Sequence, residues 1–416
     1  MEKNEVINMG IGFVTGRKNF REVLKTYVYR WKQTSATIRN KVKLHFFVAY
    51  DLEYNNTQIE DYVNIRPDIL DIIDSVFFIS KSMVQNEITM LENQKIVSRK
   101  DATLIFDKGY AGHRNSILYY ALKRKMDCLI FLDDDEYPIA VTKTRNIPVW
   151  SGQDIFAIHL KHLGNADFTN GLHCGYISPI PSIDFGDVIT ESDFRLFIEA
   201  VSNDILDWNK IRRLMDDGGV TYADPQVFID DTVKEVEEIG GAKFISGSNL
   251  GINLADPKRV KPFFNPPKAR GEDTFLSTCL SDRKVLRVPC YTFHDGFSVY
   301  SDLLDGVLPL QLKRVDANTP KIVSRFYKAC LGWVRYKPLY LYITRPESFA
   351  EETNTAKKKL SAAIPKLCTY FDNPHFQKVI LEFDKYCHSV DSHYQLFLKN
   401  QRIWEYLKDY AVQQTF

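Results

Sequence analysis

Five apolar residues, Cys128-Leu129-Ile130-Phe131-Leu132, run straight into three aspartates, Asp133, Asp134 and Asp135. An apolar run of this length bounded by polar residues reads as a buried strand. Carboxylates at its C-terminal end lie where open α/β sheets bind their ligands. Side chains alternate along an extended chain, so Asp133 and Asp135 are expected on one side and Asp134 on the other. Two carboxylates on one side suit a hard divalent cation such as Mg2+ or Mn2+, which can neutralise a diphosphate. Taken alone, an Asp-x-Asp is equally a solvated acidic turn, so the surrounding residues decide.

Upstream lies Gly109-Tyr110-Ala111-Gly112-His113-Arg114-Asn115-Ser116, followed by Ile117, Leu118, Ala121, Leu122 and Met126. That spacing predicts a helix with one buried stripe. A glycine-containing loop carrying Arg114 and Asn115 is expected to open it. A helix start offers free N–H groups and partial positive charge to an anion. Loop, Arg-Asn, amphipathic helix, apolar strand and acidic triplet follow one another in an order that resembles the nucleotide-sugar half of GT-A-fold glycosyltransferases. The inverting family 2 type is the most similar, with Gly-x-x-x-x-Arg-Asn, a helix, and an apolar strand ending in Asp-Asp-Asp. Without the triplet, Arg114 and Asn115 read as an ordinary helix start with exposed polar groups.

The chain has 416 residues, a length that favours two to three domains. With 54 basic and 53 acidic residues, no charge excess points to nucleic acid. The segment Met1-Glu2-Lys3-Asn4-Glu5 lacks the basic-then-apolar pattern of a signal peptide. No apolar run approaches the ~18 residues of a membrane span. The seven cysteines stand singly with no Cys-x-x-Cys, which disfavours zinc knuckles and suits reduced thiols in a cytoplasmic protein.

Over the first 140 residues strands and helices alternate. Strands are expected at about 6–14, 42–50, 76–79 and 103–106, with helices at 20–31 and up to about 71. Such alternation predicts an α/β fold with a mostly parallel sheet and flanking helices. Turns after parallel strands share the ligand-facing edge, which puts Thr15, Arg17, Asp51 and Asp133 on one rim. The resemblance implies that the first strand end and Asp51 hold the nucleoside, with Arg114, Asn115, Asp133 and Asp134 also on the nucleotide sugar. Arg17 is equally an exposed turn residue on its local pattern. Between about 138 and 243 the chain carries elements of its own, including a strand near 171–179 and a helix over 192–215. Adjacent residues on a strand point apart, so His173 and Cys174 read as packed or solvent-facing rather than as a metal pair.

A second cluster comprises the alternating segment 244–254 and then Gly271-Glu272-Asp273 at the start of a helix over 274–280. Glu272-Asp273 resembles the Glu-Asp pair of the inverting family, in which one carboxylate is the general base. A sugar hydroxyl is a poor nucleophile near neutral pH, and a positioned carboxylate can take its proton as the new bond forms. That role falls to Asp273, with Glu272 in reserve. The plainer reading is that both acids favour a helix N-terminus. Further on, a strand runs into His294-Asp295-Gly296. The resemblance implies a metal or phosphate contact for His294, beside Asp133 and Asp135 as metal ligands.

From Ser301 onward 17 Lys and Arg face 12 Asp and Glu, interleaved with aromatics around Arg325-Phe326-Tyr327-Lys328 and Trp333–Tyr340. A helical appendage with inward aromatics and snorkelling lysines is the favoured reading. Peripheral contact with a membrane or a lipid-linked acceptor is the alternative. The expected organisation is a GT-A domain over 1–300, split into a nucleotide-sugar half (1–140) and an acceptor and catalytic half (141–300), with a helical region over 301–416. The function implied is metal-dependent transfer, with inversion, from a UDP- or GDP-sugar to a hydroxyl of a carbohydrate, lipid-linked or protein acceptor. Two rivals share the architecture. One is a sugar-phosphate nucleotidyltransferase, whose phosphate loop Gly10–Lys18 imitates poorly because Phe13 and Val14 continue the strand. The other is a non-catalytic glycan-binding or scaffold protein.

Overall fold

The structure is a computed structural model that describes residues 6–106, 109–145, 147–175, 177–202, 208–314 and 319–414. Its strands are β1 (Ile7–Thr15), β2 (Val42–Tyr50), β3 (Ser75–Ile79), β4 (Cys128–Asp133), β5 (Glu136–Tyr137), β6 (Ile139–Thr144), β7 (Ile147–Gly152), β8 (Phe168–Cys174), β9 (Lys234–Glu235), β10 (Leu250–Asn253) and β11 (Val285–His294). Among the described residues one nine-stranded sheet runs β3-β2-β1-β4-β10-β8-β11-β5, with β9 also on β11, and β6 and β7 form a separate pair.

The half β3-β2-β1-β4 is parallel, as the alternation predicts. The whole sheet is mixed rather than mostly parallel. β10 lies antiparallel between β4 and β8, and β11 pairs antiparallel with β5 and β9. The start of β10, Leu250, pairs with Phe131 near the end of β4. The chain therefore reaches β10 along the ligand edge and can only run back down the sheet.

Alternate residues of the central strands feed two cores. Ile11, Phe13, Phe46 and Ile130 pack on one face against the helix Phe20–Gln33. Phe47, Leu129 and Phe131 pack on the other against the helix Tyr110–Lys123. A Cβ at Gly12 would come within 2.8 Å of Ile117 and 2.9 Å of Phe131, so only glycine lets that helix lie flat on β1.

Several expected elements differ. Residues 103–106 are not a strand but the end of the helix Arg99–Phe106, whose Ala102, Ile105 and Phe106 are buried at helical spacing. The helical segment expected to reach about 71 is two single turns, Glu60–Val63 and Pro67–Leu70. Arg66 is extended ahead of Pro67, as the proline ring requires. The helix expected over 192–215 is two helices, Glu191–Val201 and Trp208–Asp216, and Ile205 and Leu206 lie outside the described residues. Only Leu250–Asn253 of the segment 244–254 is strand, because Ser246 to Asn249 turns, with Asn249 at φ 49°. The strand expected near 171–179 ends at Cys174. The helix after Gly271 is Glu272–Ser277, starting two residues and ending three residues earlier than expected.

Among the described residues four α-helices follow residue 301: Pro320–Thr344, Phe349–Tyr370, Lys378–His388 and Val390–Gln413. Phe326, Leu360 and Phe376 share a core with Phe194 and Phe197 of the middle section. The last helix packs Trp404 and Leu407 onto the helix Tyr110–Lys123. That helix is consequently buried on nearly every side, not along one stripe. Tyr336 and Tyr340 point inward, and the Lys337 ammonium donates to the backbone oxygens of Glu199 and Ala200. Among the described residues no helix is long and apolar enough to cross a membrane.

Candidate functional site

Parallel pairing of β2, β1 and β4 sets Thr15 beside Tyr50 and Val14 beside Asp133. The strand ends carrying Thr15, Arg17, Asp51 and the acidic triplet therefore share one edge. β4 ends at Asp133, and Asp134 and Asp135 sit in the turn leading to β5. The turn takes Asp135 out of the strand alternation from which its pairing with Asp133 was expected. Instead Arg17 grips Asp134 at 3.1 Å and Asp135 at 2.6 Å. The Thr15 hydroxyl donates to Asp134 at 2.7 Å. Asp133 turns away to Arg114, 2.8 Å distant.

Arg114 lies within the second turn of its helix, not in the loop before it. Gly109, at φ 96°, swings the chain into that helix, a conformation open to glycine. The guanidinium is buried over the rings of Phe131 and Phe263 and donates to the Gly247 carbonyl. Its Nε lies 3.8 Å from Glu272. Burial opposes its charge, but Asp133, Glu272 and Asp273 together raise its pKa. Through this one side chain the acids of the later cluster meet the triplet.

Asn115, expected at the nucleotide, is fully engaged elsewhere. Its amide donates to the carbonyls of Ile105 (3.0 Å) and Phe263 (2.9 Å) and accepts the Phe263 N–H (2.8 Å). Asn115→Ala is expected to lower stability by about 2–4 kcal/mol, since three buried backbone groups lose their partner. Urea unfolding would show the loss, and unchanged stability would refute this clamp.

Two cavities flank the triplet. The smaller, about 90 Å3, is lined by Thr15, Arg17, Asp51, Tyr54, Tyr110 and Asp134. The larger, about 410 Å3, is lined by Asp133, Glu136, His173, Ser246, Arg287 and His294, among others. Burial pushes the carboxyl of Asp133 up to about 6 and that of Asp134 up to about 7, with Arg114 and Arg17 respectively opposing the shift.

His294, at the end of β11, has Nε2 3.5 Å from Asp135 Oδ2. The carboxylate oxygen suits Mg2+ or Mn2+, whereas imidazole is the ligand of somewhat softer divalent ions. Among the described residues no group of three or more His, Cys, Asp or Glu side chains is arranged to hold a metal. Where Mg2+ is shared with substrate phosphates and water, the protein supplies only one or two carboxylates. Asp135 fits that role, with His294 beside it; Asp133 is held by Arg114, and Arg17 also occupies Asp135.

Glu272 and Asp273 begin their helix next to Gly271. Asp273 Oδ1 accepts the Thr274 N–H at 2.8 Å. Burial raises the pKa of both carboxyls. They flank Arg114 and are not among the larger cavity's lining residues.

The sequence reading missed Glu136 and Arg287 and set His173 aside. Glu136 is buried and accepts from the hydroxyls of Ser248 and Thr292, each at 2.8 Å, and lies 3.1 Å from His173 Nδ1. Burial would raise its pKa, but His173 and these bonds hold it down to about 2, while Glu136 raises that of His173 against its own burial. The only sequence signal was a fourth acid directly after the triplet.

No protein-family model matches this chain, and no curated protein matches it in sequence.

Proposed function

We propose that this protein is a metal-dependent glycosyltransferase acting on a nucleotide diphosphate sugar and a hydroxyl acceptor, with inversion. One observation carries the reading: the acidic triplet divides two adjoining cavities, Asp134 facing the smaller and Asp133 the larger. A UDP- or GDP-sugar is a two-part ligand joined at a diphosphate. Its nucleoside suits the smaller chamber, between Tyr54, Tyr110 and Asp51, and its sugar the larger. Asp135 and His294 would hold Mn2+ or Mg2+, which would supply positive charge to the departing diphosphate.

Arg17 draws Asp134 and Asp135 together at the junction of the chambers. Arg114 keeps Asp133 in place at the junction of the chambers. The acceptor oxygen attacks the anomeric carbon from the face opposite the diphosphate. As that bond forms, the bond to the diphosphate oxygen breaks, the nucleoside diphosphate leaves, and the hydroxyl proton passes to Asp273, which lies against Gly247 beside the cavity residue Ser246. Burial raises the pKa of Asp273, which makes it a stronger base. The acceptor is a carbohydrate, free, lipid-linked or on a protein.

The nucleotidyltransferase reading is less well supported, because the residues that would form its phosphate loop, up to Thr15, are paired strand in β1. Incubation with UDP- and GDP-sugars, Mn2+ and mixed glycan acceptors should release nucleoside diphosphate. Pyrophosphate release from a nucleoside triphosphate and a sugar phosphate would contradict the proposal.

A further inference from the structure

Arg287 lines the larger cavity, and the transfer chemistry leaves it without a role. It sits on β11 seven residues before His294. β11 pairs with β8 so that Arg287 lies beside Asn170 and Thr292 beside His173. The cavity thus extends along β8 from the Asp133–His294 end by three residues, about 10 Å.

Among the described residues every hydrogen bond from the Arg287 guanidinium goes to a neutral oxygen. Nη1 donates to the side-chain oxygen of Asn170 and to the Gly171 carbonyl at 3.2 Å, and Nη2 donates to the Phe244 carbonyl at 3.0 Å. Among the described residues no carboxylate stands within ion-pair distance of it. The nearby acids of the cavity are committed, Asp133 to Arg114 and Glu136 to Ser248, Thr292 and His173. Burial lowers the pKa of Arg287, with no acid to offset it. By contrast Arg17 and Arg114, beside their carboxylates, are shifted up.

A cation taken out of water without a counter-ion is costly to keep. The neutral oxygens fix the guanidinium plane but leave its charge uncompensated. A guanidinium has five N–H donors in a fork that matches carboxylate and phosphate, and three are engaged here. A ligand that brings its own negative charge would complete the site.

We propose that Arg287 recognises an anionic group, a carboxylate or a phosphate, on the acceptor sugar. The inference rests on the transferase reading in taking the larger cavity as the place where sugars meet. The diphosphate belongs at the Asp135–His294 end, so an anion at Arg287 comes from the other partner of the reaction. Uronic acids and sugar phosphates are the acceptor chemistry this selects, and neutral hexoses are disfavoured.

The test is binding of three monosaccharide probes to the full chain, read by ligand-observed NMR without nucleotide: methyl glucuronide, glucose 6-phosphate and methyl glucoside. The two anionic probes are expected to bind at least about tenfold more tightly than the neutral one, a difference of ~1.4 kcal/mol. Arg287→Gln is expected to erase that difference, and Arg287→Lys to retain part of it. Equal binding of all three by the natural chain would overturn the proposal. So would an Arg287→Gln protein of lower thermal stability that keeps the preference, since the arginine would then be only a strut. A second arm compares UDP-glucuronate with UDP-glucose; a preference for the former that Arg287→Gln removes would move the anion to the donor and overturn the acceptor assignment. Because the first arm needs no nucleotide, a failure of nucleotide-sugar binding is seen separately from a failure of this site.

Discussion

Asp273→Asn is expected to lower the rate of sugar transfer by about 10²–10⁴-fold while leaving the donor dissociation constant essentially unchanged. The asparagine keeps the shape and can still accept the Thr274 N–H, but it cannot take a proton. Loss of the helix-terminal charge costs only ~0.3–1 kcal/mol, so a small drop in melting temperature is compatible with either role of this residue. Loss of rate at full donor occupancy is not. The pH profile separates the two further. A general base must be ionised, so transfer falls as pH falls through its pKa. Burial sets that limb above the ordinary aspartate range, and Asp273→Asn should abolish it. Glu272→Gln should be milder, because Glu272 lies near the guanidinium that also binds Asp133. The reverse ranking would transfer the base role to Glu272.

Asp135→Asn is expected to remove the dependence of donor binding on Mn2+, weakening binding at saturating metal by about tenfold or more, ~1.4 kcal/mol. The fold should survive, because Arg17 keeps Asp134 at 3.1 Å. Full metal-dependent stabilisation by a nucleotide sugar in Asp135→Asn would remove this residue from the site.

Strands β1, β2 and β4 were legible because each is an apolar run closed by a polar or glycine-bearing turn. Their parallel pairing alone brings Thr15, Asp51 and Asp133 to one edge. His294 was legible as the end of an apolar strand. What the sequence hides is what β10 and β5 do. Four residues of β10 carry no signal that they run antiparallel between β4 and β8. Glu136 and His173 meet only because β11 pairs Glu136 with His294 and His173 with Thr292. Thr103-Leu104-Ile105-Phe106 looks like a strand over four residues, and becomes helix because Ala102, Ile105 and Phe106 find a helical neighbour at Tyr110–Lys123. Asn115 shows the same limit: its place in an Arg-Asn pair pointed to a ligand, and its amide holds backbone instead.

The proposed transfer depends on a cation shared between acidic side chains at the sheet edge and a diphosphate. Calorimetric titration of the natural chain with UDP- and GDP-sugars, with Mn2+ and with chelator, tests it most directly. One nucleoside series should bind with Mn2+ and lose at least about tenfold in affinity without it. Binding of equal strength in chelator, or no binding of either series in metal, would contradict the account.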